Sequence, residues 1–403
     1  MTKLSFIHAA DLHLDSPFKG LSDLPDEIFS AVKESTFVAF EKLIEEAIQR
    51  KVDFILLVGD LFDHERQSLK AQVHLRDGFE KLKEHGIYVY LSYGNHDFLR
   101  GNIYPITYPD NVFIFKEENV TSFTYEKDEK KLAKIYGFSY ENRAVYENKA
   151  AQFELNDETI PFHIASLHGT LHGNKTHDPY APFQLSDLQS EMFDYWALGH
   201  IHERAELSKS PPIIYPGNIQ GRHRNETGEK GCYFIELSKH HTNTTFIPLQ
   251  AIQFESVTVD ISPCENMDQL ESTLKNALPK TNGPMLVDVT FMTNNRQIHA
   301  LEADGLLEEL IEILNDKSSQ RKDWLYIYRY RINVQLVQEE AYNHPFILEM
   351  NESFHHLSLR DTLADLYRHP IGRKFVEDVE DEAIITAAKE YLLHQLVKVE
   401  EGE

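Results

Sequence analysis

The sequence contains very few cysteines. Only Cys232 and Cys264 occur among 403 residues, so the disulfide framework of small secreted domains is excluded. The two thiols could pair with each other, but two reduced cysteines are the expected state in a chain of this length. This composition predicts a cytoplasmic protein.

The sequence is also poor in basic residues. Lys and Arg number 40 against 65 Asp and Glu, and the formal net charge is −25. Because nucleic-acid backbones bind to positively charged surfaces, this balance argues against a protein that binds nucleic acid unaided. If the substrate is DNA, bound divalent metals would offset the charge locally, and a partner subunit would do so over a larger surface.

Long hydrophobic runs are absent. The longest apolar stretches, such as "FILLV" and "YVYLSY", are far shorter than the roughly 20 residues of a membrane-spanning helix. No membrane association is therefore expected. The segment "MTKLSFIHAADLH" lacks a signal-peptide cleavage pattern and enters a predicted strand at once. Hydrophobic residues still make up 41% of the chain, enough for substantial globular cores.

Strand and helix patterns alternate over the first hundred residues. "KLSFIHAAD", "VDFILLVGD" and "IYVYLSYGNHD" read as strands, and the second is a continuous apolar run typical of a buried strand. Apolar periodicity predicts helices over residues 26–50 and 69–85. This order is typical of a layered α/β domain. The strand patterns that follow, up to Leu249, predict a second and more antiparallel sheet packed on the first.

The chain divides into three predicted regions. Residues 1–250 form the large α/β domain. Residues 251–338 read as a compact β-α-β-α-β unit, and residues 339–403 read as amphipathic helices. Packing on the same chain is the usual explanation of such helices, and a groove on a partner is the alternative.

Potential metal ligands stand where predicted strands end. Five strand ends carry Asp, Asn or His, in the motifs DLH, GDLFD, GNHD, SLHG and GHIH. Ligands of layered α/β sheets bind beyond the carboxyl ends of the strands, so these ends are expected to meet in one crevice. Side chains two residues apart on an extended segment point the same way. The candidate ligands are Asp11, His13, Asp60, Asn95, His168, His200 and His202.

The donor types in this set predict its chemistry. Nitrogen and oxygen donors without a thiolate suit Mn, Fe or Zn ions. Seven side chains are too many for one tetrahedral ion, but they suffice for two octahedral ions that share a carboxylate. Two metals about 3.5–4 Å apart are a common device for phosphoester cleavage. Each motif alone is better explained by a turn or a solvated histidine, whereas chance does not explain five in this order.

These motifs resemble the five-motif signature of calcineurin-like metallophosphoesterases over roughly residues 4–224. Within that superfamily the chain resembles SbcD-type DNA repair exonucleases, and most closely their YhaO-like bacterial branch. The stretches "HAADLHLDSPF", "GDLFD", "GNHD", "ALGHIH" and "YPGNIQGRHRNETGEKG" carry the closer match. The resemblance implies an α/β fold: a four-layer α-β-β-α sandwich, then a small α+β capping and DNA-binding domain and a helical C-terminal tail.

The resemblance also implies how the ligands divide between two metal ions. One ion would be held by Asp11, His13 and His202. The other would be held by Asn95, His168 and His200. Asp60 would bridge the two ions. Mn²⁺ is the expected metal, with Fe²⁺, Mg²⁺ and Zn²⁺ as alternatives.

Further residues receive roles from the same resemblance. His96 would face the scissile phosphate and stabilise its charge or protonate the leaving oxygen, and Asp97 would orient His96 as a hydrogen-bond acceptor. Many relatives have His where this chain has Asp63, so the parts played by Asp63 and His64 stay open. Two explanations fit Arg222 and His223 equally well. Either these side chains contact phosphate, or they belong to a solvated loop.

The leading interpretation is a metal-dependent DNA nuclease, expected to act as an exonuclease in DNA repair. The resemblance implies that the substrate is DNA. It also implies a protein partner, an SbcC-like coiled-coil ATPase of the SMC type, which would bind through the C-terminal region. A homodimer is left open. The second interpretation is a nucleotide or small-molecule phosphodiesterase or phosphatase. The stretches "GDLFDHE" and "GNHD" lack the Arg-Gly and the Glu of serine/threonine phosphatases. The third is a non-catalytic DNA-tethering scaffold.

Overall fold

The structure is a computed structural model that describes most of the chain up to residue 334. The described ranges are 3–63, 67–101, 106–172, 180–189, 192–239, 241–280, 283–294, 305–319 and 321–334, with a few short stretches beyond residue 348. Contacts divide the chain into two units, Met1–Asn333 and Val334–Glu403. Most of the predicted helical tail, residues 339–403, lies outside the described residues. The predicted domain boundary after residue 250 stays a prediction.

The strands of the described residues are numbered in chain order. They are β1 (Lys3–Ala9), β2 (Phe54–Val58), β3 (Tyr88–Ser92), β4 (Val112–Ile114), β5 (Thr121–Lys127), β6 (Lys130–Gly137), β7 (Phe162–His168), β8 (Tyr195–Gly199), β9 (Ala205–Lys209), β10 (Pro212–Tyr215), β11 (Gly231–Ser238), β12 (His241–Pro248), β13 (Gln253–Asp260), β14 (Met285–Thr293) and β15 (Leu325–Val334).

The helices of the described residues are few, and two of them are long. They are α1 (Asp26–Arg50), α2 (Leu69–Glu84), α3 (Leu185–Gln189), α4 (Met267–Ala277) and α5 (Leu306–Ser319), with a 3₁₀ turn at Lys149–Gln152. Helix α1 ends as Lys51 turns into the left-handed region at φ 53°. Helix α2 begins where the Ser68 side chain accepts a hydrogen bond from the Ala71 amide at 3.0 Å. None of the helices described is long and apolar enough to cross a membrane.

Two six-stranded sheets form the bulk of the first unit. In the first sheet the order is β12-β11-β1-β2-β3-β4, with β1 to β4 parallel and β11 antiparallel to β1. In the second sheet the order is β5-β6-β7-β8-β10-β9, with β6, β7, β8 and β10 parallel. The expectation of a more antiparallel second sheet is therefore wrong. Parallel strands are usually joined by a helical crossover. The segments that join the parallel strands of this sheet contain little helix, so the sequence pattern did not identify these segments as crossovers.

Hydrophobic packing arranges these sheets in layers. A cluster that includes Phe54 of β2 and Ile164 of β7 lies between the two sheets. Helices α1 and α2 cover the outer face of the first sheet through residues such as Phe40 and Phe79. The outer face of the second sheet is covered by loops, the 3₁₀ turn and α3, with Trp196 in the cluster. This mixed α/β architecture confirms the predicted fold class, although the fourth layer is thin.

A third sheet follows, in the order β13-β14-β15. Helices α4 and α5 pack on one of its faces. The other face packs against the start of α1 and the loop before it, in a cluster that contains Phe18, Ile28, Phe254 and Leu286. This small sheet is therefore joined to the segment that follows β1.

Candidate metal centre

The predicted ligands meet at one edge of the two large sheets. Asp11 and His13 follow β1, Asp60 follows β2, and Asn95 follows β3. The remaining three come from the second sheet, where His168 ends β7 and the pair His200 and His202 follows β8. All of these strands are parallel within their sheets. Their carboxyl ends consequently lie at the same edge, as the sequence predicted.

One group of donor atoms combines Asp11, His13 and His202. Their ligand atoms all lie within 4.8 Å of one another. The two imidazole Nε2 atoms of His13 and His202 are only 3.1 Å apart. The Asp11 carboxylate accepts a hydrogen bond from the His200 amide, 3.1 Å from both of its oxygens. This group has the composition predicted for one metal ion.

A second group combines Asp60, His168 and His200, again with ligand atoms within 4.8 Å of one another. The Asn95 amide oxygen lies 3.1 Å from His168 Nε2 and 3.1 Å from His200 Nδ1. Asp60 Oδ2 is 3.4 Å from His168 Nε2 and 3.8 Å from His13 Nε2. Asp60 therefore stands between the two groups, where the sequence predicted a bridging carboxylate.

The hydrogen bonds of His168 test whether these residues fit a cation. His168 Nδ1 lies 3.0 Å from the Val58 carbonyl oxygen and donates its hydrogen there. Its Nε2 then faces two oxygens, on Asn95 and Asp60. A nitrogen lone pair opposite two oxygen lone pairs is repulsive unless a cation lies between them. A proton or a metal ion satisfies this arrangement, so the donor set fits a divalent metal.

The pKa values of the buried carboxyl and imidazole groups also indicate that positive charge is favoured at this position. Burial raises the pKa of Asp11 to about 8, although His168 acts in the opposite direction. Burial would also raise the pKa of Asp60, but the nearby His168, His96 and His13 outweigh it and hold that pKa well below its usual range. Burial lowers the pKa of His168, yet Asp60 and Asp11 outweigh burial and raise it to about 9. The buried carboxylates thus draw cations to this position.

The backbone at these ligands is not extended. Asp11, His13, Asp60 and His200 have φ values of 52°, 41°, 50° and 95°. The expectation that Asp11 and His13 point the same way because they lie on an extended segment is therefore wrong. Their side chains converge because the chain turns through the left-handed region, which non-glycine residues rarely adopt. Such strained backbone is concentrated at functional sites.

Two glycines allow the second group to be this compact. A Cβ atom on Gly94 would lie 2.3 Å from Asp60 Oδ1 and 2.7 Å from His168 Nε2. A Cβ atom on Gly59 would lie 2.3 Å from His168 Nδ1, and Gly59 also has a φ of 73°. Both positions thus exclude any side chain. In GNHD the glycine is required because Asp60 and His168 pack directly against it.

The environment of His96 differs from the expected one. His96 Nδ1 lies 2.8 Å from the carbonyl oxygen of Asp63, and the His96 amide donates to Asp60 Oδ1 at 3.0 Å. The Asp97 carboxylate accepts instead from the amides of Gly94, at 2.7 Å, and Leu61, at 2.6 Å. Asp97 thus binds one amide of its own turn and one amide of the segment that follows β2. The acceptor for the His96 ring is a backbone carbonyl.

Glu226 belongs to the site but was not predicted from the sequence. Its Oε1 lies 2.7 Å from His202 Nδ1, and its Oε2 accepts from Asn218 Nδ2 at 2.8 Å and from the Arg222 amide at 2.7 Å. Although burial opposes ionisation, His202, His223 and Arg222 hold the pKa of Glu226 far below its usual range. This charged acceptor fixes the orientation and tautomer of His202. The stretch "NETGEKG" is part of the sequence that carries the resemblance, but its spacing alone does not indicate a ligand.

Arg222 and His223 lie beside the centre. Arg222 Nη1 donates to Asp63 Oδ1, and Arg222 Nη2 lies 3.3 Å from His202 Nδ1. His223 is exposed, with its Nε2 3.3 Å from Glu226 Oε1. Asp63 Oδ1 is also 3.5 Å from His13 Nδ1. His64 lies outside the described residues.

The contact between Glu226 and His202 predicts an effect on metal affinity. We expect Glu226→Gln to weaken metal binding at the Asp11, His13 and His202 group by about 10–100-fold, because the neutral amide holds His202 less firmly. Calorimetric titration of metal-free protein with Mn²⁺ measures this change. The matched control is Glu229→Gln. Glu229 is exposed, and its carboxylate lies 4.0 Å from the guanidinium of Arg204, which is also exposed. Equal affinities for the two variants would contradict this role.

Comparisons with known proteins agree with the geometry. The sequence profile of the calcineurin-like phosphoesterase family matches residues 4–204. The uncharacterized metallophosphoesterase YhaO of Bacillus subtilis is 39% identical over 405 residues, covering 99% of each chain. The DNA double-strand break repair protein Mre11 of Sulfolobus acidocaldarius is 25% identical over 407 residues, covering 96% of this chain and 95% of that protein. The Mre11 of Methanocaldococcus jannaschii is 29% identical over 249 residues, covering 58% of this chain and 63% of that protein.

The matched residues include all five strand ends and the candidate ligands they carry, and similarity at 39% identity extends over nearly the whole chain. Since two groups of Asp and His side chains at those strand ends could hold metal ions, the chain belongs to the calcineurin-like metallophosphoesterases.

Proposed function

We propose that this metallophosphoesterase is a DNA nuclease that hydrolyses phosphodiester bonds with two divalent metal ions. The observation that carries the proposal is the position of Asp60. The Oδ2 atom of this buried carboxylate lies 3.4 Å from His168 Nε2, in one donor group, and 3.8 Å from His13 Nε2, in the other. A carboxylate shared in this way suits a pair of metal ions better than a single ion.

The proposal divides the ligands between the two ions in the way that the resemblance implies. Asp11, His13 and His202 would hold one ion. Asn95, His168 and His200 would hold the other, and Asp60 would contact both. When bound, the metal pair supplies Lewis acidity at the phosphate and activates water for attack. Mn²⁺ is the proposed ion.

His96 is the proposed catalytic side chain that binds no metal. It lines an open cleft beside the donor groups, together with Asn95. The Asp63 carbonyl holds its Nδ1, so its Nε2 is the nitrogen left to bind the phosphate or to protonate the leaving oxygen. Asp97 supports this step indirectly, because it accepts the amide hydrogens of Gly94 and Leu61 and so fixes the turn that carries His96.

Two features support DNA as the substrate. Proteins named for DNA double-strand break repair match this chain, one of them over nearly its whole length. The cleft at His96 is open to the surface, with Arg222 and His223 on its wall. A guanidinium group suits phosphate recognition. Exonuclease action on DNA ends is the proposed mode.

The proposed partner is an SbcC-like ATPase of the SMC type. With a net charge of −25, the chain needs an additional basic surface to hold long DNA. A coiled-coil ATPase that binds DNA would supply it. The amphipathic sequence beyond residue 340 is the proposed docking element.

The decisive experiment uses end-labelled DNA. We expect purified protein with Mn²⁺ to shorten defined single- and double-stranded DNA, and we expect EDTA to abolish the activity because the metals are removed. Denaturing gels report the products, and adding the ATPase tests its contribution. Free nucleotides and cyclic nucleotides serve as competing substrates. Hydrolysis of those nucleotides without any processing of DNA would favour the phosphodiesterase alternative instead.

Replacing His96 separates metal binding from catalysis. His96→Ala is expected to keep two Mn²⁺ ions per chain but to lose about 10²–10⁴-fold in kcat on DNA, the usual contribution of a proton-transfer group. Elemental analysis and steady-state kinetics measure the two properties. His85→Ala is the control, since His85 lies at the exposed end of α2. A His96→Ala enzyme with unchanged kcat would remove this residue from the mechanism.

Deleting the C-terminal region tests the partner. A chain ending at residue 340 is expected to lose binding to the SbcC-like ATPase in a pull-down while it still hydrolyses bis(p-nitrophenyl) phosphate with Mn²⁺. The retained hydrolysis would show that the first unit folds without the tail. Undiminished capture of the ATPase would place the docking element elsewhere.

A further inference from the structure

His8 is a buried imidazole that is not among the candidate metal ligands. It lies in β1, between Phe6 and Ala10 in the row of side chains that faces the second sheet. The His8 side chain is 0% exposed. Burying an imidazole among apolar groups costs free energy unless its nitrogens are hydrogen-bonded. The hydrogen bonds of His8 therefore show what this costly side chain does in the structure.

Both ring nitrogens of His8 contact strand β8 of the second sheet. Nδ1 lies 2.9 Å from the Tyr195 hydroxyl oxygen, and Nε2 lies 3.1 Å from the Leu198 carbonyl oxygen. Burial lowers the pKa of His8 to about 3, so the ring is neutral and carries a single N–H hydrogen. Because a carbonyl oxygen can only accept, Nε2 donates to Leu198, and Nδ1 accepts from the Tyr195 hydroxyl.

These two hydrogen bonds join the sheets close to the candidate metal centre. Strand β1 ends at Ala9, two residues before Asp11, and β8 ends at Gly199, directly before His200. The Asp11 carboxylate accepts a hydrogen bond from the His200 amide at 3.1 Å. His8 therefore binds β8 to β1 just before each strand delivers its ligands.

The backbone of β8 comes very close to the first sheet at this point. A Cβ atom on Gly199 would lie 2.1 Å from the Val58 carbonyl oxygen and 3.2 Å from the Ala10 Cβ. His8 donates to the carbonyl of Leu198, the residue directly before this glycine. The hydrogen bond thus holds β8 where the two sheets approach so closely that no side chain fits between them.

Each group of candidate ligands requires the two sheets to be correctly spaced. Asp11 and His13 follow a strand of the first sheet, whereas His202, which completes their group, follows a strand of the second. Asp60 and His168 likewise come from different sheets and lie 3.4 Å apart. Metal–ligand distances vary by only about 0.2 Å, so a shift of β8 against β1 would weaken metal binding.

We propose that His8 is a positioning residue for the metal centre, which holds the carboxyl end of β8 against β1 by donating a hydrogen bond to the Leu198 carbonyl. The Tyr195 hydroxyl supports it, because donation to Nδ1 keeps the hydrogen of His8 on Nε2. His8 acts only through the ligands that follow β1 and β8. The inference rests on the metal pair of the proposed function, but it does not depend on the identity of the substrate.

Two amide variants separate the roles of the two ring nitrogens. In His8→Gln the side-chain amide reproduces the donor at Nε2, whereas in His8→Asn the shorter side chain reproduces only the acceptor at Nδ1. We expect His8→Asn to bind Mn²⁺ about tenfold more weakly than the unaltered protein, the lower end of the range for groups that orient ligands. His8→Gln should retain the affinity of the unaltered protein. Calorimetric titration of the metal-free proteins measures both affinities.

A second buried histidine provides the control for these variants. His163 is 6% exposed, and its Nδ1 lies 3.0 Å from the Tyr136 hydroxyl oxygen. It lies near the amino end of β7, whereas the candidate ligand His168 ends that strand. His163→Asn should therefore leave the Mn²⁺ affinity unchanged. Equal weakening in His163→Asn and His8→Asn would mean that loss of any buried histidine disturbs the site, and the proposal would be overturned.

The tautomer of His8 is a second readout. NMR of the histidine ring nitrogens in the unaltered, metal-free protein should show a neutral His8 with its hydrogen on Nε2, identified by the resonances that His8→Gln lacks. A hydrogen on Nδ1 would overturn the proposal. Failure of the unaltered protein to bind Mn²⁺ would overturn the metal pair itself, whereas normal binding with equal affinities in His8→Asn and His8→Gln would overturn only this inference.

Discussion

The structure depends on keeping a carboxylate buried where two sheets end. Asp60 is 1% exposed, and its oxygens lie near imidazoles from both sheets, His13 in the first and His168 in the second. A charge that is out of water needs close partners of opposite sign. The hydrogen bond from the His96 amide and the surrounding histidines meet this need in part, and bound divalent metal would meet it fully. The ligand geometry, the strained backbone and the tight glycine contacts all follow from packing these groups around one anion.

Much of this arrangement was predictable, because strand ends are easily read from a sequence. Helix α1 was predicted over residues 26–50 and is observed over Asp26–Arg50. Continuous apolar runs identified β2 and β3, and the polar motifs that follow them supply residues of the candidate metal centre. Parallel strands bring their carboxyl ends together in any layered α/β fold. Convergence of the ligands therefore needed only the correct order of strands.

Other features depend on contacts between distant residues, and the sequence does not encode them locally. Glu226 reaches His202 from a loop 24 positions later, and no fixed spacing connects a carboxylate with the histidine it orients. Asp97 was expected to contact its neighbour His96, but two backbone amides compete successfully for its oxygens. The parallel order of the second sheet was missed because its crossovers contain almost no regular helix. In each case the tertiary contact outweighs the local pattern.

The loop between β1 and α1 contacts the small sheet and also lines the cleft beside the candidate metal centre. Phe18 is buried in the cluster it shares with Phe254 and Leu286 of the small sheet, while the adjacent Lys19 lines the catalytic cleft. The same loop contains Asp11 and His13. Phe18 also lines this cleft, so the packing of the small sheet against Phe18 helps to set the shape of the cleft wall. A molecule that binds the small sheet would therefore contact a part of the chain whose packing reaches the cleft beside the candidate metal centre.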